Sequence, residues 1–122
     1  MTLTLSLHWY GEQPRPDYDG DVAFGFEDYR KTVWGSDALR DVGASIIPAL
    51  ATQDGVYVLP ENLDALVREA HAIRDNADAV GSRLEAALVR RDPSMAYWLR
   101  RYMDNLLRFI DFARTVGGGV IW

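Results

Sequence analysis

Leu3, Leu5, Leu7 and Trp9 alternate with Thr4, Ser6, His8 and Tyr10, the period-two pattern of a strand with one buried face. The segment that follows, GEQPRPDYDGD (residues 11–21), mixes two prolines and two glycines with acids, which predicts a surface loop. Phe26, Tyr29, Val33 and Trp34 then recur at helical spacing, so a short helix is expected, ended by Gly35. Ser36 is placed to cap a further turn, DALRDV, closed by Gly43. SIIPAL (45–50) and VYVL (56–59) read as the two strands of a hairpin around Asp54-Gly55, with Pro48 confined to an edge or bulge.

The strongest periodicity comes next. Pro60 suits a first helical position, and Leu63, Leu66, Ala70, Ile73, Ala77, Val80, Leu84 and Leu88 follow in steps of three and four. Asp92-Pro93 supplies a second cap, after which Leu99, Tyr102, Met103, Leu106, Ile110 and Ala113 mark another stripe. Two such helices make an antiparallel hairpin. Unbroken over 61–91, the first would be ~46 Å long, more than a domain of this size is wide, so either Gly81 bends it or its tip projects. Gly117 to Gly119 stop the second helix and VIW forms a terminal strand inside the sheet. The expected fold is α+β: one globular domain over 1–122, with a small, mostly antiparallel sheet that includes both terminal strands packed against the long helical hairpin. Tyr97, Trp98, Tyr102, Phe109 and Phe112 cover more than one side of the last helix; most of this is expected in the core, and part could serve a homodimer.

Composition narrows the function classes. A chain of 122 residues, 48% hydrophobic, suits one domain with a proper core. It has no apolar run near the ~20 residues of a membrane span and no basic, cleavable leader, so a soluble, cytoplasmic protein without membrane association is expected. With no cysteine, disulfides, thiolate metal sites and cysteine nucleophiles are excluded. Twelve arginines against the single Lys31, with many alanines, suit a GC-rich bacterial coding sequence. The net charge of −5 is lopsided: residues 1–60 hold nine acids against Arg15, Arg30, Lys31 and Arg40, whereas residues 61–122 balance nine against nine. An acidic surplus of this kind opposes nucleic-acid binding and favours a basic protein partner.

The surplus concentrates in DYDGDVAFGFEDYR (residues 17–30). From Asp17 as position one, Asp19, Asp21 and Asp28 fall at positions three, five and twelve of a calcium-binding EF-hand loop. Val22 stands where that loop needs glycine, Asp28 where it has the longer glutamate, and GEQPRP cannot be an entering helix. A catalytic carboxylate pair would need one raised and one ordinary pKa, and no neighbour singles out such a pair. A solvated acidic loop is the plain reading. The functional one is a partner-binding face of Trp9, Tyr10, Glu12, Asp17, Tyr18, Asp19, Asp21, Phe24, Glu27 and Asp28, aromatic anchors within a charged rim.

Elsewhere the chemistry is sparse. His71, with Arg68 and Asp75 at helical spacings, reads as a surface pair rather than a metal ligand, and His8 falls on the less buried face of its strand. Ser45 in GASII lacks the second glycine of a nucleophile elbow, and GGG follows a helix instead of opening one onto a phosphate. No catalytic residue, metal or cofactor is assigned.

In its general character, with VWGSDALRDVG (33–43) and GGGVIW (117–122) the most suggestive stretches, the chain resembles the small acidic immunity proteins that accompany bacterial polymorphic toxins. The resemblance implies a non-enzymatic inhibitor that neutralises a basic toxin or effector domain. The alternatives are a small-molecule or metal-binding enzyme with a pocket between sheet and hairpin, and a homo-oligomeric scaffold.

Overall fold

The computed structural model describes residues 2–87 and 95–122. Leu88, Asp92 and Pro93, expected in the helix end and cap, lie outside them. The architecture is α+β. The alternating N-terminal segment forms β1 (Thr2–Thr4) and β2 (Ser6–His8), with Leu3, Leu5 and Leu7 all buried. The two halves serve different sheets. β1 pairs antiparallel with β3 (Ala23–Phe26), and β2 pairs antiparallel with β5 (Gly119–Ile121). β5 is the centre of a three-stranded sheet whose other edge is β4 (Tyr57–Val58). The terminal strand is thus inside its sheet, as its apolar sequence requires.

Among the described residues, four α-helices surround these strands: α1 (Asp37–Arg40), α2 (Leu63–Asp75), α3 (Ala77–Ala87) and α4 (Met95–Val116). α4 is the central column. Its stripe of Leu99, Tyr102, Met103, Leu106, Phe109, Ile110 and Ala113 is buried, and it packs on α2, α3, β3 and β5. A row of ion pairs fixes its antiparallel register: Asp64 with Arg114, Arg74 with Asp104 (2.8 Å) and Asp78 with Arg100 (2.8 Å). Each step forward on α2 and α3 matches an equal step back on α4, so the register continues across the α2–α3 break. These pairs are exposed and each is worth little. Burial of the facing stripes, at about 25 cal/mol per Å² of apolar surface, stabilises the packing more than the ion pairs do.

The long helix does break, but at Asn76 and not at Gly81. Asn76 leaves helical geometry (φ −107°, ψ 18°), and its side-chain amide donates to the Ala72 carbonyl (2.7 Å), which also accepts the Asn76 backbone N–H at 3.2 Å. Gly81 serves a different end. A Cβ there would lie 2.8 Å from the Ala96 nitrogen, so glycine is what lets the backbones of α3 and α4 approach.

Three local expectations are corrected. Phe26 belongs to β3 and is exposed, while the helical turn after it is a single π-turn over Arg30–Trp34 that buries Val33 and Trp34. Ser36 does not cap α1; its hydroxyl donates back to the Val33 carbonyl at 2.6 Å. The SIIPAL–VYVL hairpin does not form, because Ile47–Ala51 is a 3-10 helix with Pro48 near its start.

The cause of that last departure is Glu69. Its buried carboxylate accepts the backbone N–H groups of Ser45 (3.0 Å), Ile46 (2.9 Å) and Ile47 (3.1 Å). Those amides, which a strand would give to a neighbour, are satisfied from across the core, and Pro48 has no N–H to offer. β4 is left to pair with β5 instead.

A continuous core runs from Leu3 to Trp122. Its aromatic centre is Phe24 stacked on Trp34 (4.4 Å between centroids), whose Nε1 donates to the Phe24 carbonyl at 2.9 Å. Trp122 also packs on Phe24, although its buried Nε1 has no partner among the described residues. An unpaired N–H costs about 1–3 kcal/mol, which burial of an indole of some 150–250 Å² outweighs.

Two substitutions probe these contacts. Gly81→Ala raises helix propensity by about 1 kcal/mol but places a methyl against the Ala96 backbone, and a net loss of about 1–3 kcal/mol is expected in urea unfolding. A gain in stability would show that α3 and α4 are not in that contact. Glu69→Ala leaves the amides at 45–47 without their acceptor and should cost about 3 kcal/mol or more, read in the same way.

Candidate binding face

The acidic stretch leaves the three-stranded sheet after His8 and enters the two-stranded sheet at Ala23, and between these points it is tied to α4. Three local devices hold it. Trp9 donates its Nε1 to the Gln13 carbonyl (3.0 Å), closing a turn just past the strand. The half-buried ring of Tyr18 sits edge-on to Phe109 at 4.9 Å and tilted against Phe112 at 5.0 Å. Asp21 accepts the Ala23 N–H at 2.9 Å, while Asn105, almost wholly buried on α4, donates to the Ala23 carbonyl at 3.3 Å.

The ten residues singled out in the sequence therefore fall into different roles. Glu12, Asp17, Asp19 and Asp28 are exposed and make no ion pair among the described residues. Tyr10 is exposed, Trp9 half-buried, and Tyr18 shows only part of its ring. Glu27 is engaged by Arg30 at 2.8 Å, and Arg30 also donates to the Gln53 carbonyl, tying the end of the stretch to the segment after the 3-10 helix. Asp21 is an anchor that also faces Arg101 at 3.6 Å. Phe24 is a correction: it is fully buried against Trp34 and cannot meet a partner.

Phe24 was hard to place by sequence because Phe26, of the same parity on the same strand, is exposed. Gly25 between them has φ +107°, a conformation glycine adopts freely and other residues rarely do. The strand turns over there, and strict alternation fails.

Tyr57 is the face residue that sequence reasoning missed. It is 63% exposed on β4, while Tyr10 is 56% exposed beside the end of β2. His8 joins them, its ring 4.4 Å from Tyr10 and edge-on to Tyr57 at 5.4 Å. Nothing in the sequence links positions 8 and 57. They meet because β2 and β4 flank β5 on opposite sides, in registers that place His8 across from Gly119 and Tyr57 across from Ile121.

The calcium-loop residues do not form a cage: among the described residues no three His, Asp or Glu side chains gather so as to hold a metal ion. His71 is exposed. No helix among those residues is long and apolar enough to cross a membrane.

Fold and face together describe a small α+β protein that displays an anchored acidic loop beside an exposed aromatic cluster. Comparison with protein families, with curated proteins and with solved structures gives no match.

Asp21 carries the titration signature of its anchoring role. Its hydrogen bond from the Ala23 amide, aided by Asn105 and Arg101, holds its carboxyl below the usual value of 3.8. A depressed folded pKa contributes stability that is complete above the unfolded value and is lost as pH falls through the folded one. Asp21→Asn is therefore expected to be less stable than wild type near neutrality, with the gap closing below about pH 4 in urea melts run across pH. A gap that widened in acid would contradict the anchoring geometry.

Proposed function

We propose that this protein is a non-enzymatic binding protein of the immunity type, which neutralises a basic toxin or effector domain through the acidic, aromatic-containing stretch from Trp9 to Asp28. The observation that supports this reading is the pinned loop. Glu12, Asp17 and Asp19 stand in solvent without intramolecular counter-charges among the described residues, on a segment held by the Trp9 turn, the Tyr18 rings and the Asp21 anchor. A charged loop held in place this way binds with less ordering cost than a free one. Unpaired acids steer a basic partner, and the adjacent Tyr10, Tyr57 and His8 supply rings for the contact itself. Solvated carboxylates interact over roughly a Debye length, about 8 Å at physiological salt, so the attraction is salt-sensitive.

Replacing Asp21 would disturb the loop's anchorage as well as its charge, so the test variant leaves it in place. A Glu12/Asp17/Asp19→Gln/Asn/Asn protein keeps every anchor. Used as bait in extracts of the native host, wild type should retain a basic protein that this variant loses. The purified pair should then weaken about tenfold or more between 50 and 300 mM salt. Equal recovery by both baits, or affinity indifferent to salt, would overturn the acidic-face reading.

A further inference from the structure

Beneath the acidic loop, α4 carries an open groove of about 420 Å³ whose character is the opposite of the loop's. Arg100, Arg101 and Arg108 line it with Asp21, Asp104, Asn105 and Tyr97, which leaves one net positive charge in a chain whose total is −5. The ion-pair row divides these groups. Arg100 is turned to Asp78 and Asp104 to Arg74, both at 2.8 Å. Arg101 and Arg108 are left to the groove.

Both guanidinium groups are positioned by neighbours that leave N–H donors unspent. Arg108 donates to the Asn105 Oδ1 at 2.9 Å and pairs with no carboxylate among the described residues. Asn105 is itself 1% exposed and fixed through its Nδ2 to the Ala23 carbonyl, so it sets the direction from which Arg108 is held. Arg101 lies over the Trp98 ring, 5.6 Å from its centroid, donates to the Tyr97 hydroxyl at 3.2 Å, and meets Asp21 only at 3.6 Å, beyond a good hydrogen bond. Each guanidinium carries five donors. Tyr97, half of its surface exposed, forms a ring-bearing wall at one end.

We propose that this groove binds a small phosphate monoester, with the phosphate between Arg101 and Arg108 and an organic group toward Tyr97. Arg101 and Arg108 sit seven residues apart, about two turns along one face of α4, and both line the groove. A planar carboxylate matches the fork of a single arginine, whereas a tetrahedral phosphate directs oxygens to both. The volume suits a small molecule. A nucleic-acid backbone is disfavoured because the exposed Asp17 and Asp19 lie on the loop that borders the groove. Asp21 is the internal competitor: a phosphate seated on Arg101 takes over the position that this carboxylate now holds weakly.

That competition gives the test an unusual sign. Inorganic phosphate, phenyl phosphate and, as a control, benzoate are titrated into the full chain at constant ionic strength, with calorimetry and Trp98-sensitive fluorescence as readouts. Phenyl phosphate should saturate and bind more tightly than inorganic phosphate, with benzoate at least about tenfold weaker than phenyl phosphate. Arg108→Gln should weaken phenyl phosphate about tenfold or more, whereas Arg114→Gln, on the same helix but outside the groove and paired with Asp64, should not. Asp21→Asn should strengthen binding several-fold. All three positions lie at the surface, and circular dichroism is to be used to check that each variant is folded. Phosphate binding that fails to saturate, benzoate equal to phenyl phosphate, equal losses in Arg108→Gln and Arg114→Gln, or weaker binding by Asp21→Asn would each overturn the proposal.

Discussion

Burial of the apolar stripe of α4 is the interaction on which the rest of this structure depends. One side of the stripe receives α2 and α3, and another receives β3 and β5. Its buried side chains at helical spacing remove enough apolar surface from water to order a chain that has no disulfide to help it. Elements too short to stand alone are stable because they rest on this column. β4 has two residues and α1 has four, and an isolated hairpin or single helical turn of that length would not persist in water.

Polar groups decide which arrangement that burial selects. The Glu69 carboxylate gathers three consecutive amides and turns a strand-like sequence into a 3-10 helix. Asn105 reaches from α4 to the Ala23 carbonyl and directs Arg108. The ion pairs along α2, α3 and α4 add little energy each but penalise other registers, since a slip of one turn would bring opposite charges out of contact. Close packing at Gly81 acts in the same sense, because a glycine at this one position on α3 accepts the Ala96 backbone.

The two proposed sites share a physical origin. A loop rich in carboxylates is laid over a helix rich in guanidinium groups, and neutralisation between them is incomplete on both sides. Outward, Glu12, Asp17 and Asp19 have no ion pair among the described residues; inward, neither has Arg108. Asp21 sits at the junction, a hydrogen-bonded anchor whose ion pair with Arg101 is long. The surplus charges are therefore displayed on ordered backbone, which lowers the ordering cost of recruiting a counter-charge.

The sequence by itself determined the α+β class, the buried alternation of Leu3, Leu5 and Leu7, the apolar stripes of α2 and α4, the glycine stop and the terminal strand. These are local patterns, in which neighbours along the chain report burial directly. It also marked the acidic stretch, because clustered charge is visible without coordinates. Only the tertiary structure decided that Phe24 faces inward while Phe26 faces out, that residues 47–51 coil, that the long helix breaks at Asn76, and that Tyr57 joins His8 and Tyr10. Each of those outcomes depends on backbone geometry or on a partner distant in sequence. A carboxylate 24 residues from Ser45, or a strand pairing across the whole chain, leaves no periodic trace in the segment whose conformation it sets.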